Sequence, residues 1–283
     1  IMSATLHALP GAELPAPDAA PELRKCPVCS SATCTPLPDY SPDHWQMVTC
    51  AGCNLVYLRN PAEYAALEED FAWEKTYEEK KTATKGSTPL SPYVRAIRTK
   101  LGMTRDKTAS FRRWFNDGHV LDIGCGAGAR IKPPMTPYGI ELSTALHARA
   151  DSEMRKSGGY CIHGAGAEAI WKFDEGQFDG IVMFSYLEHE TNVMSVLRGA
   201  HRALKDSGGV FVRVPNYGSL NRKAIGPKWC GFRYPDHVNY FTLATLSDTA
   251  RRAGFSTTLI NRVTLPLDDN VSVLLRKSPE GTA

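Results

Sequence analysis

The stretch Val120-Leu121-Asp122-Ile123-Gly124-Cys125-Gly126-Ala127-Gly128 constrains the chain most. A short apolar strand runs straight into a Gly-x-Gly-x-Gly turn, and glycines let a backbone bend sharply and approach a ligand with no Cβ in the way. Asp122, just before the turn, suits a ligand carrying an ammonium group. Thirteen residues after Gly128, Tyr138-Gly139-Ile140-Glu141 reads as a second strand ending in a carboxylate. At that position Glu141 can accept hydrogen bonds from both hydroxyls of a ribose. A glycine turn alone is a weak signal; with an acid at the next strand end it predicts a nucleoside site in an α/β fold.

The second constraint lies near the N-terminus. Cys26-Pro-Val-Cys29 and Cys50-Ala-Gly-Cys53 are two C-x2-C pairs separated by twenty residues. Each tight turn aims two thiolates at one centre, and two turns close a tetrahedron, so the spacing predicts a structural zinc ribbon over residues 23–60. A four-thiolate site leaves no open coordination position, so its task is folding rather than catalysis. Cys34 and His44 are nearby bystanders.

Several blocks after residue 118 occur in an order that resembles the class I S-adenosylmethionine-dependent methyltransferases. VLDIGCGAG is similar to the family's motif I, which implies that Asp122, Gly124, Cys125, Gly126 and Gly128 cradle the cofactor. YGIELS resembles the second-strand block, implying that Glu141 holds the ribose. HGAGAEAI resembles the segment bordering the adenine, with Ala167 and Glu168 at the matching positions. FDGIVMFSYLEHE resembles the fourth strand and the loop facing the cofactor, where Phe184 and Ser185 fall. LKDSGGVFVRVPN carries the double-glycine turn and fifth strand. The resemblance implies a Rossmann-like fold with a mixed seven-stranded sheet, closed by an edge hairpin of strands near 256–263 and 270–276. One departure stands out. Only ten residues, three of them proline, separate Gly128 from Gly139, too few for the usual helix after the glycine turn.

Methyl transfer from a sulfonium needs an acceptor held in line with the methyl group and a group to manage the acceptor's proton. The loop after the fourth strand offers His189, and the long polar and aromatic stretch from Asn216 to Tyr240 offers His237 and Tyr240. His237 is the first choice for a base or acceptor-positioning group, against the alternative of a histidine that braces the following helix. That helix is expected from Thr242, its cap, through Arg252, with Leu243, Leu246 and Ala250 inward.

The predicted organisation is a disordered leader over 1–22, the ribbon over 23–60, a helical connector over 61–117 and the methyltransferase domain over 118–283. The connector is acidic around Glu68 and basic between Arg95 and Arg113. With 33 basic and 30 acidic residues the net charge is only +3. That argues against nucleic acid as the partner, although a zinc-containing RNA methyltransferase is an alternative, as is a non-catalytic cofactor-binding interaction protein. The leading expectation is an enzyme that methylates a small-molecule or sugar-containing acceptor, oxygen preferred over carbon or nitrogen, as in bacterial sugar and specialised-metabolite methyltransferases. Its expected cofactors are S-adenosylmethionine and a structural Zn2+. No apolar run approaches the length of a membrane span or a signal peptide, so the cytoplasm is the expected compartment.

Overall fold

The computed structural model describes residues 23–62, 111–265 and 267–278. The predicted leader and nearly all of the predicted connector lie outside these residues; of the connector only Pro61, Ala62 and its end, where Phe115 bonds back to Phe111, are inside.

Among the described residues, two sheets carry the fold. The N-terminal strands β1 (Cys34–Pro36), β2 (Met47–Cys50) and β3 (Val56–Leu58) pair antiparallel in sequence order. The seven-stranded sheet contains β4 (His119–Ile123), β5 (Thr136–Glu141), β6 (Cys161–His163), β7 (Phe178–Phe184) and β8 (Leu204–Pro215). Its last members are β10 (Phe255–Leu259) and β11 (Asn270–Lys277), and its order is β10-β11-β8-β7-β4-β5-β6. Pairing is parallel from β8 to β6 and antiparallel where β11 joins β8 and β10 joins β11. This is the mixed sheet and reversed edge hairpin expected from the sequence. β4 and β7 are buried along most of their length, as strands in the middle of a sheet covered on both faces are.

Helix α1 (Thr144–Arg155) starts at Ser143, whose side chain accepts from the Leu146 N–H. A single turn, α2 (Gly166–Ala169), precedes α3 (Val193–Ala203), which buries Val193, Val196, Leu197 and Ala200 at helical spacing. After β8 come α4 (Leu220–Ile225) and the two-residue strand β9 (Asn239–Tyr240). Then α5 (Leu243–Arg252) begins with a capping box in which Thr242 and Thr245 bond reciprocally. Leu246 and Ala250 are buried as expected, while Leu243 is only half-buried.

As the short, proline-rich spacing predicts, no helix forms between Gly128 and β5; a turn closed by Met135 N–H to Lys132 O takes its place. Two strand ends differ from expectation, β5 starting two residues earlier than predicted. β10 stops at Leu259 rather than Val263. There Asn261 ends it, donating to the Asp268 carboxylate and Asn270 carbonyl and so turning the chain toward β11.

The two sheets are joined through the C-terminal half. β9, from the C-terminal half, adds to β3 as the fourth strand of the N-terminal sheet, with Val56 opposite Tyr240 and Tyr57 opposite Asn239. Arg24 ties the same seam, donating to the carbonyls of Leu58 (2.7 Å) and Val238 (2.6 Å). Met47, Val56, Trp229 and Tyr240 form a buried cluster across it.

Candidate active site

The glycine turn caps the C-terminal end of β4. Gly124, Gly126 and Gly128 have φ of +70°, +57° and +76°, the left-handed region that a Cβ disfavours. Their surroundings differ. A Cβ on Gly128 would lie 2.9 Å from the Ala150 Cα of α1, whereas one on Gly126 would meet nothing within 4 Å. The first closes the turn onto the helix; the second leaves an open backbone face of the kind a ligand needs.

Glu141, at the end of β5, is buried beside that face, accepting from the N–H of Gly126 (2.7 Å) and of Ser143 (3.0 Å). Burial pushes its carboxyl above the usual range, against the pull of these two hydrogen bonds. Each oxygen keeps a second lone pair for a further donor. Asp122 is fully buried and ion-paired to Arg130 from the turn beyond the glycines, so its charge is already matched from within the chain. Arg130 also lies over the Phe184 ring, as does Arg213, with guanidinium carbons 5.0 and 4.9 Å from its centroid. Cys125 packs its Sγ 3.6 Å from that of Cys161, filling space under the turn.

A cleft runs from this turn across the sheet, lined by Gly124, Ile140, Leu142, Gly164, Ala165, Gly166, Tyr186 and His189. Gly166 is required by Tyr186: a Cβ there would come within 2.0 Å of the phenol oxygen. Ala167 and Glu168, expected here, are not among the lining residues. The Ala167 carbonyl faces α3, where Ser195 donates to it, and Glu168 is exposed. The lining residues of this segment, Gly164 to Gly166, come immediately before them, from its glycine-rich start.

Ser185, just after β7, adopts φ +53° and donates its N–H to the Arg213 carbonyl. The loop that follows is stitched to the segment before β9. The N–H groups of Val238 and Asn239 donate to the Glu188 carbonyl, and the buried Asn239 amide donates to the carbonyls of Leu187 and Glu190. This stitching brings together Glu188, His189 and His237, which offer donor atoms all within 4.8 Å of one another. The two imidazoles meet edge to face at 4.7 Å.

Their environments separate them. His189 borders the cleft; its Nδ1 bonds to the Asp236 carbonyl (2.8 Å) and lies 3.2 Å from that residue's carboxylate. Burial draws its pKa down, but the Asp236 and Glu188 contacts outweigh it and leave it raised. His237 is buried with Nδ1 donating to the Gly231 carbonyl (2.8 Å), and burial plus the neighbouring His189 charge push it down to about 3. Burial pushes the Glu188 carboxyl up to about 7. The Tyr240 phenol is buried, donates to the His237 carbonyl (2.9 Å), and is held well above its ordinary pKa by burial.

In the N-terminal sheet the four predicted ligands converge. The Sγ atoms of Cys26 and Cys53 are 3.5 Å apart and those of Cys29 and Cys50 are 3.4 Å apart, with all four within 4.8 Å of one another. Four sulfurs sharing one ion at 2.3 Å lie about 3.8 Å apart, so the thiol pocket is close to a tetrahedral site. Cys34 is not part of the group.

A family model described as a methyltransferase domain matches residues 94–260, more than half of the chain. The chain belongs to this methyltransferase family. Among curated relatives, this chain is 33% identical over 108 residues to a ubiquinone biosynthesis O-methyltransferase of Methylococcus capsulatus. That match covers 36% of this chain and 44% of the relative. A Thiobacillus denitrificans enzyme of the same name is 29% identical over 154 residues, covering 49% and 64%. The chain thus spans less than two thirds of the length of these relatives. Among solved structures, a SAM-dependent methyltransferase from Archaeoglobus fulgidus aligns with 65% of this chain and 100% of its own, at a TM-score of 0.47 and 15% identity. No described helix of this chain is long and apolar enough to cross a membrane.

Proposed function

We propose that this protein transfers a methyl group from S-adenosylmethionine to a hydroxyl oxygen of a small-molecule acceptor, sugars included. The observation that carries the reading is the open backbone face at Gly126 beside the buried Glu141 carboxylate. When bound, S-adenosylmethionine supplies an electrophilic methyl group on a sulfonium. The residues that would hold it are the turn from Gly124 to Gly128, Glu141 for the ribose hydroxyls, and Leu142 with Gly164 to Gly166 along the base. Oxygen as the methylated atom is supported by the matched relatives, which are named O-methyltransferases.

Of the three predicted catalytic residues, His189 is the one assigned to the acceptor, because it alone borders the cleft. His237 and Tyr240 fix its surroundings. We also assign a structural Zn2+ to Cys26, Cys29, Cys50 and Cys53, within a ribbon over 23–60 that precedes a catalytic unit over 118–283, in a cytoplasmic enzyme. The tight thiol cluster supports the zinc.

Calorimetric titration with S-adenosylhomocysteine tests the cofactor reading. Binding should weaken at least tenfold in Glu141→Ala, about 1.4 kcal/mol; an unchanged affinity overturns the ribose assignment. His189→Ala should keep that affinity while losing turnover on any acceptor found by screening with radiolabelled S-adenosylmethionine.

A further inference from the structure

We propose that Glu188, His189 and His237 form a second metal centre, a site for one divalent first-row transition ion beside the acceptor end of the cleft. It deepens the methyl-transfer reading, and its role, though not its existence, rests on that reading.

Three observations carry it. The donor set is two imidazoles and a carboxylate within 4.8 Å, and atoms sharing one ion at about 2.1 Å lie about 3.4 Å apart, so modest side-chain adjustment closes the site. Each imidazole is already oriented for it. A carbonyl can only accept, so Nδ1 of His189 on the Asp236 carbonyl and Nδ1 of His237 on the Gly231 carbonyl both carry the proton. Nε2 is then the ligating atom in both rings, and this kind of outer hydrogen bond holds metal-binding histidines in place. Finally, Glu188 is 1% exposed, yet its Oε2 has no hydrogen-bond partner. A buried carboxylate oxygen left unpaired is costly, and a cation between it and the imidazoles removes that cost. Arg233, the nearby cation, is engaged with Asp236 instead.

Imidazoles favour transition ions over magnesium. Three protein ligands leave open positions, and His189 is the ligand that borders the cleft. An acceptor hydroxyl taken up there loses its proton to water more readily. Its oxygen then bonds to the methyl carbon as the S–C bond breaks, and S-adenosylhomocysteine leaves.

The test is metal binding, read without turnover. The full chain, purified with its thiolate-bound metal in place, is titrated with Mn2+ and the free ion followed by electron paramagnetic resonance. One further equivalent should bind, at least tenfold more weakly in Glu188→Gln and in His237→Gln. Co2+ in the same site should give visible ligand-field bands without the sulfur charge-transfer band of a thiolate site. The wild-type titration needs no variant to fold: absence of a second equivalent overturns the proposal, as does an equivalent kept at full affinity by both variants. A failure of the methyl-transfer reading would instead appear as loss of S-adenosylhomocysteine binding with the metal count unchanged.

Discussion

Two glycines of the same turn should fail in different ways when replaced. Gly128→Ala forces a Cβ against the backbone of α1 at 2.9 Å as well as a left-handed φ, so its main effect should be on stability, a loss of about 2–3 kcal/mol in urea unfolding. Gly126→Ala carries the φ penalty alone, about 1–2 kcal/mol, but puts a methyl on the open face. Its main effect should be on S-adenosylhomocysteine affinity, with at least a tenfold loss by calorimetry. The sequence marks both glycines alike, because their spacing encodes the turn. Which one faces the helix and which faces the ligand depends on where α1 packs.

At the scale of elements, the first part of the long segment between β8 and α5 is gathered by one carboxylate. Asp269 accepts from the Trp229 indole (2.8 Å), the Asn221 amide (2.7 Å) and the Ser219 hydroxyl (3.0 Å). Burial raises its pKa, but these three donors outweigh it and leave the value lowered. A carboxylate lowered in the folded state stabilises it above the unfolded value near 4, and that contribution disappears as pH falls through the lowered folded value. Asp269→Ala should therefore cost about 2 kcal/mol at neutral pH and progressively less toward pH 2, measured by unfolding across that range. The next element is secured differently: Thr242→Ala removes half of a capping box and should cost about 1 kcal/mol without pH dependence in this range. The Thr242 cap is readable from sequence, being a contact three residues long. The Asp269 anchor is not, since its donors lie 40 to 50 residues away.

Across the whole molecule, the N-terminal sheet and the segment beside the cleft are joined by backbone pairing, so removal of the proposed Zn2+ should reach the candidate active site. β9 bonds to β3 on one side and is continuous with the His237 segment on the other, while Arg24 bridges both. Chelating the Zn2+ proposed for the four thiolates should therefore release Trp229 and Tyr240 from their buried cluster and abolish turnover. Intrinsic tryptophan fluorescence should change together with metal loss. A ribbon that melted with no change in the Trp229 signal would contradict this coupling.

The sequence by itself determined the local geometries. A C-x2-C turn, a glycine turn after an apolar strand and a Thr cap are each set by backbone constraints within a few residues, so residue type and spacing suffice to reveal them. The mixed seven-stranded sheet was implied by the resemblance of its blocks to a known family, and its order and register were set by the tertiary structure. The tertiary structure alone decided which parts meet. That β9 completes the ribbon sheet, that His189 rather than His237 borders the cleft, and that Glu188 joins both histidines all rest on long-range main-chain hydrogen bonds. Every residue but proline carries the same donor and acceptor on its main chain, so such bonds leave no mark in residue type.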